Sequence, residues 1–213
     1  MNQNNINLLK RIFPYENCNN MLDLKFDSEG LWSITHPENA ENISKNIKIF
    51  EKTGIKLDTI FDMTGGIGGN TISFCKYFKH VISAEIDENR FKILQNNINN
   101  YNYNNHTIIH CDAVKEISKL KREIDVIFID APWGGPEYKS DNDIQITLSG
   151  LELDEIIKLA SEYNYNNHKI KVITLKLPYN YNFDKLLSNV KNYIKTKNKV
   201  VMGNVVYIHL LLN

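Results

Sequence analysis

The sequence predicts an α/β fold: a seven-stranded, mostly parallel sheet with a short helical N-terminal extension. Three observations carry this. From Thr59 onward, apolar runs of strand length alternate with segments of helical period, the pattern of a parallel sheet covered by helices. A glycine-rich turn, Gly65-Gly66-Ile67-Gly68-Gly69, falls where the first strand of that series meets its helix. The C-terminal stretches Lys199 to Met202 and Val205 to Leu212, about Gly203-Asn204, read as two antiparallel strands and a tight turn.

The elements follow in order. Asn5 to Tyr15 suggests a short helix ending before Pro14, with Lys10 and Arg11 exposed. Leu22 to Phe26 alternates weakly, and Gly30 ends that stretch. Gly30 to Pro37 mixes aromatic and hydroxyl residues without a period. A helix starts at Pro37 and runs to Thr53, with Ala40, Ile43, Ile47 and Phe50 on one face and Gly54 as its stop. Then come strand Thr59–Met63, helix Asn70–Phe78, strand His80–Glu85, and a helix over Glu88–Asn100 that turns Phe91, Leu94 and Ile98 inward. Strand Thr107–His110, helix Ala113–Leu120 and the wholly apolar strand Val126–Ile129 follow. After a long loop the pattern gives helix Leu153–Glu162, strand Lys171–Lys176 and helix Phe183–Val190. Five parallel strands closed by an antiparallel pair form the layout of Rossmann-like class I S-adenosylmethionine-dependent methyltransferases. Residues 1–54 read as the extension and 55–213 as one such domain.

Composition narrows the function. A chain of 213 residues buries a sizeable core, and it holds no apolar run of about eighteen residues to span a membrane. Its first residues are polar, without the apolar core of a signal peptide. Cys18, Cys75 and Cys111 are odd in number and far apart, which predicts reduced thiols in a cytoplasmic or nuclear compartment. The 25 basic and 25 acidic residues balance, so no global field draws in long nucleic acid; a reader of one nucleotide fits better. His106, His110 and Cys111 lie close in sequence, but a metal site needs more converging ligands, and no metal is expected. A monomer is expected. Asparagine, lysine, isoleucine and tyrosine are abundant, the bias of an AT-rich genome such as those of some protists and large viruses.

Acids stand at the predicted strand ends. Asp62 precedes the glycines, where it repels a pyrophosphate and attracts the ammonium of S-adenosylmethionine. Gly66-x-Gly68 is completed by Thr71 rather than a third glycine, which disfavours the dinucleotide fingerprint. Glu85, about 20 residues on, stands where an acid takes a ribose hydroxyl pair. Its neighbour Asp87 is the rival for that role, but suits the helix start at Glu88 as a cap. Asp112, with the backbone N–H of Ala113, is placed for an adenine ring, or as a helix cap. Asp130-Ala131-Pro132-Trp133 ends the buried strand with an acid, a proline and an indole, suited to a flat base bearing an exocyclic amine.

At these residues the chain resembles the trimethylguanosine synthases, the RNA cap guanine-N2 methyltransferases. The resemblance runs through Gly30-Leu31-Trp32-Ser33-Ile34-Thr35, Asp62, Gly66-Ile67-Gly68-Gly69-Asn70-Thr71-Ile72, Asn96-Asn97, and Asp130-Ala131-Pro132-Trp133-Gly134-Gly135-Pro136-x-Tyr138. It implies S-adenosyl-L-methionine as cofactor and 7-methylguanosine-capped RNA, or a cap analogue, as partner. Methyl transfer to N2 would then give 2,7-dimethylguanosine, with the trimethyl product after a second transfer. In a viral member it would act in the host cytoplasm. Trp133 would stack on the cationic base, Asn97 contact base or sugar, and Ser33 the cap phosphates. Thr35 would touch the methionine carboxylate, Trp32 close over the cofactor, and Asn70 lie at its methionine end. The chain departs from the family in four places. Asp130 stands where members often have serine, Ala131 replaces the first proline of a pair, and His36 is interposed before Pro37. In Leu177-Pro178-Tyr179-Asn180 the usual basic residue is Tyr179, so triphosphate contacts would fall to Lys10, Arg11 or Lys176. Two alternatives stand: another amino-methyltransferase, for N6 of adenine or N2 of ribosomal RNA guanine, and an inactive cap-binding module.

Overall fold

The computed structural model describes residues 3–135, 138–139 and 144–213; Pro136 of the tryptophan motif lies outside the described residues. The chain divides into two compact units, Met1–Ala113 and Val114–Asn213. The main sheet holds seven strands, three from the first unit and four from the second. No helix among the described residues is long and apolar enough to cross a membrane.

In the first unit, helices α1 (Gln3–Ile12), α2 (Ser28–Ser33) and α3 (Pro37–Lys48) precede strand β1 (Thr59–Asp62). Helix α4 (Gly69–Tyr77), strand β2 (His80–Glu85), helix α5 (Glu88–Asn99) and strand β3 (His106–His110) follow. The strands lie in the order β3-β2-β1, all parallel. β1 is buried at every position, its polar ends Thr59 and Asp62 included. Pro37 opens α3, whose last turn tightens into a 3₁₀ segment, Ile49–Thr53, stopped by Gly54 at φ 87°. Leu9, Ile12 and Phe13 of the first helical segment pack in one cluster with Ile67, Ile72, Leu94 and Ile98, so the N-terminal segment rests on the glycine turn and its helices.

One expectation fails here. Gly30 does not end a strand; it lies inside α2, and the stretch before it is a 3₁₀ turn, Met21–Asp23, followed by irregular chain. Asp27 caps the helix by accepting the Gly30 N–H at 2.7 Å. Gly30 is there for want of space: a Cβ would lie 2.5 Å from Ile67 Cγ2.

Helix α6 (Ala113–Ile117) starts at the unit boundary and is shorter than the sequence suggests. The second unit then holds strand β4 (Val126–Ile129), a hairpin of β5 (Thr147–Leu148) and β6 (Leu151–Glu152), and helix α7 (Leu153–Ser161). Strand β7 (Val172–Pro178), helix α8 (Phe183–Val190) and strands β8 (Ile194–Met202) and β9 (Val205–Leu212) complete it. The order is β4-β7-β9-β8, with β4 and β7 parallel and the last two strands antiparallel. Strand β8 starts five residues before the expected Lys199, because its solvent face carries lysines and hides the strand signal. The β5–β6 hairpin, absent from the sequence reading, turns through Ser149 at φ 54° and Gly150 at φ 83°.

Candidate active site

In the first unit the glycine turn is held by carboxylates. Asp62, fully buried at the end of β1, accepts the Thr64 N–H at 3.1 Å and the Thr71 hydroxyl at 2.7 Å. Thr71 in turn lies 3.0 Å from the Ser83 hydroxyl of β2. Gly65 N–H donates to the Ala84 carbonyl at 2.8 Å, and a Cβ at Gly65 would fall 2.4 Å from Ser83 Oγ. The sequence pattern singles out Gly66 and Gly68, whereas Gly65 is the glycine that lets the turn approach β2. Gly66 and Gly68 carry positive φ, 54° and 105°.

Glu85, buried at the end of β2, receives the turn: the Gly66 N–H donates to its Oε2 at 2.8 Å and the Asp87 N–H to its Oε1 at 2.9 Å. Asp87 caps α5, accepting the Arg90 N–H at 2.8 Å, a bond that holds its carboxyl below the usual range. Arg90 was not foreseen. Its Nε lies 3.7 Å from Glu85 and its Nη1 pairs with Glu29 of α2, so it links the acid to the helix that carries Trp32. Ile86, 60 % exposed between the two acids, offers an apolar surface that also escaped the sequence reading.

At the start of α4 the segment after α2 closes in. A Cβ on Gly69 would meet Ile34 Cγ1 at 2.7 Å and the Thr35 carbonyl at 2.9 Å. Asn70 donates to the Thr35 hydroxyl at 3.1 Å, both residues buried. Its Oδ1 is buried without a hydrogen-bond partner among the described residues. Trp32 is half in solvent, and the exposed Ser33 donates back to the Glu29 carbonyl at 2.9 Å. Asp112 is half-buried, and Ala113 is buried at the start of α6. Lys10 and Arg11 are exposed at the last turn of α1.

Asn97 is a correction. Expected to touch the base or its sugar, it is fully buried on α5. Its Nδ2 donates to the carbonyls of Lys25 and Ile67, each at 2.8 Å, and its Oδ1 accepts the Lys25 N–H at 2.8 Å and Asn96 Nδ2 at 3.2 Å. That uses the whole capacity of an amide, two donors and two lone pairs. Asn97 staples the N-terminal segment to the glycine turn.

In the second unit the motif after β4 gathers charged and aromatic groups. Asp130 Oδ2 accepts from Lys176 Nζ of β7 at 2.7 Å, with 17 % and 9 % of the two side chains exposed. Burial pushes the Asp130 carboxyl up, and the Lys176 ammonium offsets part of that rise. The same ammonium lies 5.6 Å from the Trp133 ring centroid, and Tyr138 meets the indole edge-on at 5.1 Å. Trp133 is half-buried, with Nε1 lacking a partner among the described residues. Tyr207 of β9 is fully buried, its phenol pushed up by burial and by the charge of Asp130. Ala131 is buried and Pro132 exposed. Among the described residues no group of three or more His, Cys, Asp or Glu side chains is placed to hold a metal ion.

Comparison with known proteins decides the family. Residues 57–210 match the RNA cap guanine-N2 methyltransferase family. The chain belongs to that family. It is 32 % identical to an uncharacterised protein of Acanthamoeba polyphaga mimivirus, over 92 % of this chain and 84 % of that one. It is 32 % identical to the trimethylguanosine synthase of Schizosaccharomyces pombe over 71 % of this chain, spanning 66 % of that enzyme. A 16S rRNA N2 methyltransferase of T. thermophilus, solved with AdoMet and guanosine, shares the fold at TM-score 0.58 and 13 % identity, covering 89 % of this chain and 44 % of that one. The sheet is thus that of the Rossmann-like class I methyltransferases, as the alternation of strands and helices predicts.

The chain is an S-adenosylmethionine-dependent methyltransferase. The residues of the first unit fit that cofactor. Asn70 Oδ1 is a buried acceptor in want of an N–H donor, which a methionine ammonium would satisfy. Glu85 sits on the turn with its carboxylate fixed by two backbone N–H groups, suited to a pair of ribose hydroxyls.

Proposed function

We propose that this chain methylates the N2 amine of the 7-methylguanosine cap of RNA, giving 2,7-dimethylguanosine. The observation that carries the reading is Trp133. Within a chain of the cap guanine-N2 family, it is a half-buried indole braced edge-on by Tyr138, three residues after a largely buried acid. A cationic, flat 7-methylguanine is the guest that gains most from an indole face, about 1–3 kcal/mol.

In this reading Trp32, Thr35, Asp62, Gly66, Gly68, Asn70, Glu85, Asp112 and Ala113 hold the cofactor, and residues 1–54 help to form the binding surface. S-adenosylmethionine supplies the methyl group and keeps the electron pair of the broken carbon–sulfur bond. The guanine amine is a weak nucleophile, its lone pair drawn into the ring, so orientation provides most of the acceleration. Asp130 accepts a hydrogen bond from that amine and takes up the proton it loses; Pro132 stiffens the chain between acid and indole. Lys10, Arg11 and Ser33 serve the cap phosphates, Ser33 by exchanging its bond to the Glu29 carbonyl. The chain works in a reducing compartment, cytoplasmic or nuclear.

Mass spectrometry of the product formed from 7-methyl-GTP, beside GTP and adenosine-containing RNA as acceptors, tests the reading. Methyl transfer is expected to 7-methyl-GTP alone, and transfer to adenosine or to unmethylated GTP instead would replace it. Trp133→Ala and Asp130→Ala should abolish transfer while cofactor affinity stays within about tenfold.

A further inference from the structure

Strand β7 is buried at all seven positions, and Lys176 is its one charged residue. An ammonium in such a place is costly unless paired, and its partner is Asp130, at 2.7 Å. A buried ion pair adds little stability over apolar residues of the same volume. Its effect on the acid is larger. A buried carboxyl without a cation takes up a proton and turns one oxygen into a donor, which an amine N–H cannot use. With the cation it is acceptor-only.

We propose that Lys176 is a positioning residue for the acceptor: it holds Asp130 as an oriented carboxylate that accepts a hydrogen bond from the exocyclic amine. The identity of that amine rests on the cap reading above; the hold of Lys176 on Asp130 does not. Lys176 reaches Asp130 from β7, beside its register partner Tyr207 on β9, whose phenol also feels the acid. Burial of Asp130 opposes ionisation and Lys176 favours it, so losing the lysine would tip the acid toward its protonated form. Its place over the Trp133 ring ties the same ammonium to the indole, so one side chain sets both the acid and the stacking plane. Neither partner is legible alone: the two lie 46 residues apart, one just after β4 and the other on β7.

The test has two arms. In protein labelled with ¹³C at the aspartate carboxyls, with the Asp130 signal assigned by D130N, the pH at which Asp130 titrates is compared in wild type, K176M and K176R. K176M should move that titration upward by at least one pH unit, about tenfold in proton affinity, and K176R should leave it near wild type. In the second arm, binding of 7-methylguanosine is compared with 7-methylinosine, which lacks only the 2-amino group, at one neutral pH. Wild type should prefer the amine-bearing nucleoside by about tenfold, K176M should lose the preference, and K176R should restore it. An unmoved Asp130 titration in K176M, or a preference that K176M retains, overturns the proposal. Should K176M fail to fold, judged by cofactor binding, the double variant D130L/K176M removes both charges and the acceptor; it should bind cofactor and show no preference, and a retained preference overturns the proposal equally. If neither nucleoside binds to wild type, the cap reading falls, and the carboxyl titration still decides the hold of Lys176 on Asp130.

Discussion

Around the glycine turn of the first unit and the tryptophan motif of the second, polar side chains are used with different emphasis. In the first, acids and amides serve the backbone: Asp62 takes the Thr64 N–H, Glu85 the N–H groups of Gly66 and Asp87, and Asn97 the N–H and carbonyl of Lys25 with the carbonyl of Ile67. Beside Asp130 and within the sheet of the second, side chains meet one another. Asp130 pairs with Lys176, Trp133 leans on Tyr138, and His209 of β9 bonds through Nδ1 to the Thr174 hydroxyl. Side chains tied to backbone shape a loop once and hold it, whereas side chains tied to one another can exchange partners when a guest arrives. The first arrangement suits a cofactor of fixed shape, the second an acceptor that must be gripped and released.

The sharpest way to break this contrast is at Asn97. If the first unit is stapled by its polar side chains, Asn97→Ala strands two carbonyls and an N–H and opens a hole in a buried site. The cost should be about 4 kcal/mol in urea unfolding, with cofactor affinity falling as the glycine turn loosens. A loss under about 1 kcal/mol would mean that the N-terminal segment is held by Leu9, Ile12 and Phe13 alone.

The second unit should betray itself in acid. His209 is fully buried, its Nε2 lacks a partner among the described residues, and burial pushes its imidazole down from the usual 6.5 to about 4. A lowered histidine binds fewer protons in the folded state than in the unfolded one. Stability is therefore whole above about pH 6.5, falls as the pH drops toward 4, and levels off below, a loss of about 3 kcal/mol. His209→Gln should flatten the unfolding free energy between pH 6.5 and 4 relative to wild type. A parallel decline in both proteins would show that carboxylates, not this imidazole, carry the acid sensitivity.

The contrast also explains what was legible in the sequence. The succession of strands and helices, the glycine turn and the acids at strand ends follow from periodicity and from backbone needs, which are local. Asp87 as helix cap was readable because a cap acts three residues away. Lys176 as partner of Asp130 and Arg90 as link between Glu85 and Glu29 were not, since each joins elements whose meeting only the fold decides. Asn97 misled for the same reason. A family motif gave it a ligand, and its neighbours in space had already filled all four of its hydrogen-bonding positions. Gly65 was hidden by its own company, one glycine among four, distinguished only by what a Cβ there would strike on β2.

The mildest expected effect separates two acids that stand side by side. Asp87 serves its own helix, and Glu85 serves the turn where the cofactor is expected. Asp87→Ala should weaken α5 and leave cofactor affinity within about twofold, the scale of an exposed charge, and Asp87→Ser, another good cap, should recover the stability. Glu85→Ala removes an acceptor for two backbone N–H groups as well as the candidate ribose contact, and should lower cofactor affinity about tenfold or more. Calorimetric titration of S-adenosylmethionine into both variants measures the difference. If Asp87→Ala weakens binding as much as Glu85→Ala, the ribose belongs to the pair rather than to Glu85. The cap would then be doing two jobs, and the first unit would share its side chains between backbone and ligand as the second shares them between partners.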